Sequence, residues 1–134
     1  MESTLWVEEL RVCTIEEYKA GYVVMRFRNA VTMKDEDVEE MNEVFSRRLQ
    51  DRKIPSLVFV SRNSSASFES RQKASRILAK YSTGQALIAT STFARMLANL
   101  YTTVNRPPVP ARVFSNEEDA RRWISPFLRP TEES

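Results

Sequence analysis

Short, unbroken apolar runs alternate along the chain with stretches whose apolar residues recur at steps of three and four. The opening stretch, Leu5 to Val12, mixes apolar and charged residues without clean alternation and leads into Cys13–Tyr18; it predicts one edge strand before residue 18. Lys19-Ala20-Gly21 makes a turn. A second strand follows near 22–28, rich in β-branched and aromatic residues, with Val23, Met25 and Phe27 on one face, so the fold opens on a hairpin. From Lys34 to Arg52, Val38, Met41, Phe45 and Leu49 keep helical spacing behind Asp35, Glu36 and Asp37, which suit the positive end of a helix dipole. Arg47, Arg48, Arg52 and Lys53 complement the opposite end.

Leu57-Val58-Phe59-Val60 is uniformly apolar, as a strand covered on both faces requires. After a serine-rich loop, a helix is predicted from about Phe68 to Tyr81, with Ala74, Ile77, Leu78 and Tyr81 inward and Gly84 just beyond its end. Ala86-Leu87-Ile88-Ala89 repeats the buried-strand pattern, and Thr90-Ser91-Thr92 supplies caps for a third helix reaching Val104. Pro107, Pro108 and Pro110 force an extended entry into a strand over 111–114, because proline restricts both itself and its predecessor. Ser115 or Asn116 then caps a last helix, Glu117 to Phe127, with Ala120, Trp123, Ile124 and Phe127 inward. The order β-β-α-β-α-β-α-β-α predicts one α/β domain over 1–129: an open, mostly parallel sheet with an antiparallel edge strand, right-handed crossovers and four helices. Residues 130–134 read as a frayed tail. Ligands approach the carboxyl ends of strands in such sheets, here the loops beginning at Ser61, Thr90 and Ser115.

Composition narrows the chemistry. The chain has no histidine, which removes Ser-His-Asp, Cys-His and His-ligated metal schemes from it. Gly21 and Gly84 are its only glycines, too few for a phosphate-cradling loop. Twenty Lys and Arg against 18 Asp and Glu leave a net charge of +2, so nucleic acid is not an expected partner. Cys13 has no second cysteine to pair with and reads as a buried, inert thiol. The N-terminal residues show neither a basic region nor an apolar one, and no apolar run approaches the ~20 residues that cross a bilayer. A cytoplasmic protein without an integral membrane segment is expected, and no cofactor is implied.

Two places could carry function. Ser64, Ser65 and Ser67 precede a helix bearing Arg71, Lys73, Arg76 and Lys80, so the loop is a candidate phosphoacceptor or anion-binding site, with Ser64, Ser65, Ser67 and Arg71 as its residues. Helix capping is the plainer use of those serines. In the third helix, Phe93, Met96, Leu97, Leu100, Tyr101 and Val104 share a broad arc that reads first as core. Because the arc is wider than the roughly 100° stripe that facing a core takes, part of it could meet a partner or a second copy of the chain. Arg95, Asn99, Thr102 and Arg106 form the opposite polar stripe, and Ser91, Arg95, Met96, Asn99, Tyr101 and Arg106 are the candidate interaction surface. Glu16, Glu17 and the run Glu117-Glu118-Asp119 read as surface and helix-dipole charges.

The C-terminal half carries a resemblance. Ala86-Leu87-Ile88-Ala89, Ser91, Arg95-Met96-Leu97-Ala98-Asn99, Asn105-Arg106-Pro107, Pro110, Arg112-Val113-Phe114, Glu117-Glu118, Ala120 and Trp123-Ile124 together resemble the uncharacterised bacterial proteins grouped with SpoIIAA-like or STAS/SEC14-like domains. The element order fits over residues ~10–127, while the specific residues cluster in 86–124. The resemblance implies a SpoIIAA/STAS-like fold and a non-catalytic protein-interaction or regulatory module related to anti-sigma-factor antagonists, with a protein partner. Its best-known members are switched by phosphorylation of a serine after the central strand, which implies Ser61–Ser67 as the regulatory loop. Those members carry Asp-Ser followed by small residues and glycine, and this loop has neither the aspartate nor the glycine. A small-ligand or lipid carrier is the alternative that the SEC14-like relationship implies.

Overall fold

The structure, a computed structural model, describes residues 3–62 and 64–129; the tail expected from Pro130 lies outside them. In chain order the strands are β1 (Thr4–Glu9), β2 (Cys13–Tyr18), β3 (Tyr22–Phe27), β4 (Thr32–Met33), β5 (Ser56–Phe59), β6 (Ser65–Ala66), β7 (Gln85–Ile88) and β8 (Ala111–Phe114). The helices are α1 (Asp35–Leu49), α2 (Phe68–Tyr81), α3 (Thr92–Leu100) and α4 (Glu117–Ile124). A π-helical turn, Tyr101–Asn105, prolongs α3, and a 3-10 turn, Ser125–Phe127, prolongs α4.

Six strands form the main sheet in the order β1-β2-β3-β5-β7-β8. β3, β5, β7 and β8 run parallel, and β1, β2 and β3 form an antiparallel meander. The mixed α/β architecture with four helices is therefore as the element pattern predicts. The N-terminal stretch read as one edge strand is two, turning at Leu10, where the backbone N–H donates to the Cys13 carbonyl at 2.8 Å. Its pattern misleads because β1 is inverted. Glu8 lies on the side of α1, where Arg47 and Arg48 donate to it at 2.8 and 2.9 Å, while Leu5 and Val7 are exposed.

The sheet is covered on both faces. On one, Ile15, Val23, Met25, Val58 and Leu87 pack with Met41, Phe45 and Leu49 of α1, Ala74 and Leu78 of α2, and Ala94 and Ala98 of α3. On the other, Tyr22, Val24, Leu57, Ala86 and Ile88 pack with Ala120 and Ile124 of α4. All four residues of β7 and the Ala89 that follows are buried, which explains the apolar run Ala86–Ala89. Each such aliphatic side chain taken from water contributes ~1.5–3 kcal/mol.

Glu17 is not the surface charge that its sequence position suggests. Glu17 is 0% exposed, because the alternation of β2 puts it in phase with Cys13 and Ile15, on the helix side. Its carboxylate accepts the Trp6 indole N–H at 2.7 Å and two bonds from the Arg52 guanidinium at 2.8 and 3.0 Å. The basic end of α1 thus fastens the meander as well as complementing the helix dipole.

Gly21 is held at φ +100°, and a Cβ there would lie 2.1 Å from the carbonyl carbon of Arg129. Its carbonyl accepts the Arg129 N–H at 3.1 Å, so the segment after α4 meets the β2–β3 turn at Arg129. β4 and β6, which the pattern does not predict, pair in parallel through Thr32 with Ser65 and Met33 with Ala66. They tie the segment after β3 to the loop after β5, over the carboxyl ends of the parallel strands.

Candidate functional site

Beneath this two-strand lid lies a cavity of about 130 Å³, walled by residues that include Phe27, Met33, Val58, Leu78, Leu87 and Leu97. A second, of about 110 Å³, shares Phe27, Met33, Arg71 and Leu97 with the first and extends past Ser64, Ser65 and Ala66. Three of the four residues singled out in the serine loop therefore meet at one opening. Ser67 does not: its hydroxyl accepts the Ser70 N–H at 3.0 Å and caps α2. Ser64 is bonded to Ser61 and donates to the Arg28 carbonyl at 3.0 Å. Ser65 lies 3.0 Å from the Thr32 hydroxyl across the lid.

Among the described residues, Arg71 is the one charged side chain lining these cavities. Its Nη1 donates to the Ala66 carbonyl at 2.7 Å and its Nε to Asn105 Oδ1 at 3.3 Å. No carboxylate meets it among the described residues. Asn105 is 3% exposed and is itself held by donation to Gln72 Oε1 at 2.7 Å. Sequence reasoning missed Asn105 and Gln72, although a signal was present: Ala94, Ala98, Tyr101 and Asn105 recur at steps of three and four and form the true inner stripe. The π-helical turn closes with the Arg106 N–H on the Tyr101 carbonyl at 3.1 Å, and Arg106 ends it in the left-handed region at φ 44°.

The outer side of α3 corrects the reading of its apolar arc as core. Ala94 and Ala98 are buried, whereas Phe93, Met96, Leu100 and Val104 are 38%, 55%, 38% and 51% exposed. The small residues let the helix lie close to the structure beneath it, and the large ones are left outside. Tyr101, assigned to the interaction surface from sequence, is instead half-buried and turned inward. Its hydroxyl donates to Gln85 at 2.8 Å, and burial pushes it up to about 12, so it stays protonated. Ser91 caps α3, accepting the Ala94 N–H at 3.0 Å. Arg95, Met96, Asn99 and Arg106 are exposed. Arg106 donates to the Thr103 carbonyl at 3.1 Å, and the Arg95 guanidinium has no hydrogen-bond partner among the described residues. No acidic residue occurs between Glu69 and Glu117, while Arg71, Lys73, Arg76, Lys80, Arg95, Arg106 and Arg112 do. Lys73 is paired with Asp35 at 2.7 Å.

A family model for a domain of unknown function, DUF7793, matches residues 17–128. The chain belongs to the DUF7793 family. No curated protein matches it. Among solved structures, the DUF7793 chain is similar to an uncharacterised protein of the DUF3478 family with a SpoIIAA-like fold, from Shewanella loihica PV-4. The two share 14% identity over 92% of this chain and 95% of that one, with a TM-score of 0.57. The SpoIIAA-like fold implied by the motif in 86–124 is thus the fold of the DUF7793 chain.

Elsewhere, desolvation pushes the Cys13 thiol up to about 12, keeping it protonated and inert in the core. Among the described residues, no group of three His, Cys, Asp or Glu could hold a metal ion, and no helix is long and apolar enough to cross a membrane. What the DUF7793 opening offers is one guanidinium, a few hydroxyls and apolar walls. That set can hold an anion and an apolar body.

Proposed function

We propose that this DUF7793 chain is a non-catalytic, STAS-like protein-interaction module that docks a partner on the outer side of α3. The observation that carries this reading is the reversed helix, which turns its alanines inward and leaves Phe93, Met96, Leu100 and Val104 in a ridge at the spacing that receives a second helix. A contiguous apolar face of this kind, rimmed by polar residues, is a feature of interaction sites. The occupant is an amphipathic protein segment with acidic flanks. Arg95 and Arg106 are exposed at the two ends of the same helical segment and residues 70–116 contain no acid, so two copies of the chain meeting through α3 would bring like charges together. An anionic membrane surface gains only about 1 kcal/mol from each arginine beside it, too little to anchor so short a ridge with two of them.

The test places a photo-crosslinking residue at Met96 or Leu100 in native host cells, with exposed Glu43 of α1 as the control position. The expected result is one protein joined through positions 96 and 100 but not 43, attached through an acidic amphipathic segment. Crosslinks only to lipid, only to a second copy, or to nothing would overturn the reading. With that partner in hand, Arg95→Lys should weaken binding about tenfold, since an ammonium lacks the planar fork, and leave thermal stability unchanged.

A further inference from the structure

The cavity on the inner side of α3 has no part in that docking face. We propose that it is a binding site for a small aliphatic carboxylic acid, with the hydrocarbon under the lid and the carboxylate on Arg71. Three observations converge. The walls are hydrocarbon and ring, with Phe27, Met33, Val58, Leu78, Leu87 and Leu97 around a space of about 130 Å³. The cavity adjoins, through the shared Phe27, Met33, Arg71 and Leu97, a second space of about 110 Å³ that Ser64 and Ser65 line. At the junction stands a guanidinium that no carboxylate of the chain neutralises among the described residues.

Arg71 is prepared for this task. Ala66 takes Nη1, and Asn105, itself fixed by Gln72, takes Nε. The guanidinium plane is therefore oriented before any ligand arrives, and Nη2 is left to donate. Holding a donor in place beforehand lowers the ordering cost of binding. A single fixed guanidinium matches a single negative charge. A phosphate dianion would bring a second charge that nothing lining the cavities offsets, and burying an unmatched charge is costly. Size excludes a diacyl lipid, since both spaces are smaller than the roughly 300–1,000 Å³ of pockets for drug-sized ligands. A chain of a few carbons fits, and it enters where the lid is held by a ladder of two residues and the contact between the Thr32 and Ser65 hydroxyls.

Calorimetric titration of the whole protein with hexanoate and octanoate tests the site, with octanol and inorganic phosphate as companions. The acids are expected to bind at least tenfold more tightly than octanol, phosphate not at all, and Arg71→Gln to abolish the preference for acid over alcohol. Methyl NMR on the unsubstituted protein gives a readout that does not depend on a variant folding: octanoate should shift Met33 and Leu97 and leave Met96, on the outer face, unmoved. Equal binding of acid and alcohol, no binding of either acid at millimolar concentration, retention of the preference in Arg71→Gln, or shifts confined to the outer face would each overturn the proposal. Because these readouts do not involve the outer ridge, their failure leaves the docking reading untouched, and the converse holds as well.

Discussion

Asp37 occupies the third position of α1 and works for two elements at once. Its carboxylate accepts the Lys34 N–H at 2.8 Å, closing the helix start, and pairs with Arg11 from the turn between β1 and β2. The Arg11 guanidinium holds the carboxyl below its usual range against the opposing effect of burial. The sign follows from linkage. A group whose folded value is depressed adds stability that is complete above its unfolded value, near pH 4, and that is lost as the pH falls through the folded value. Asp37→Asn keeps an acceptor for the Lys34 N–H but removes the charge. The variant should melt below the wild type at pH 7 and lose less of its melting temperature between pH 5 and pH 2.5. Glu8 and Asp35 are held low by Arg47 and Lys73 respectively, so the acid slope should shrink without vanishing. An unchanged slope in calorimetric scans would show that the Arg11 pair adds nothing.

Among the elements, α3 has the least usual construction. Lengthening its buried side chains should lift it from the sheet, whereas trimming its exposed ones should not. Ala98→Leu is expected to cost about 1–3 kcal/mol, the range for overpacking, and Leu100→Ser to stay within about 0.5 kcal/mol. Urea unfolding of the two variants checks the pair, and a larger loss from Leu100→Ser than from Ala98→Leu would mean that the helix packs the other way round. The same helix shows why the sequence could be read only in part. Its existence, its Ser91 cap and its reach to Val104 are local matters, and so are the bounds of α2. Which side faces in is not local. The arc from Phe93 to Val104 and the stripe from Ala94 to Asn105 share one period, and the choice between them depends on how closely the helix must approach the sheet. The opening is legible to the same degree. Ser64, Ser65 and Arg71 are near neighbours in the chain, so a loop and a first helical turn were enough to group them. Asn105, Phe27 and Leu97 join them only through the tertiary fold, as Arg52 and Trp6 together make sense of a buried Glu17.

Across the whole molecule, the contact between Gly21 and Arg129 joins the β2–β3 turn to the segment after α4. At φ +100° a side chain is strained in any surroundings, and here it would also collide with backbone that cannot yield as a flexible side chain would. Gly21→Ala should cost at least about 2 kcal/mol and speed hydrogen exchange at the Arg129 amide. Gly84, where an added Cβ would meet its nearest neighbour at 3.6 Å, is the control and should accept alanine within about 1 kcal/mol. Equal losses at the two glycines would remove the special standing of the seal.

The strand order has a consequence in time. Neighbours in the main sheet are also successive strands of the chain, apart from the short pair that forms the lid. Each parallel pair is therefore closed by one intervening helix, and each new strand adds to an edge that already exists. A chain leaving the ribosome can lay down its meander, receive α1 and β5, then α2 and β7, without waiting for a distant partner to be made. The growing edge moves along with synthesis, and at each stage it is the rim that the next segment will cover, while the outer side of β1 stays an edge. Only the docking of the segment after α4 onto the β2–β3 turn must wait, because it joins an early part of the sheet to one of the latest parts of the fold.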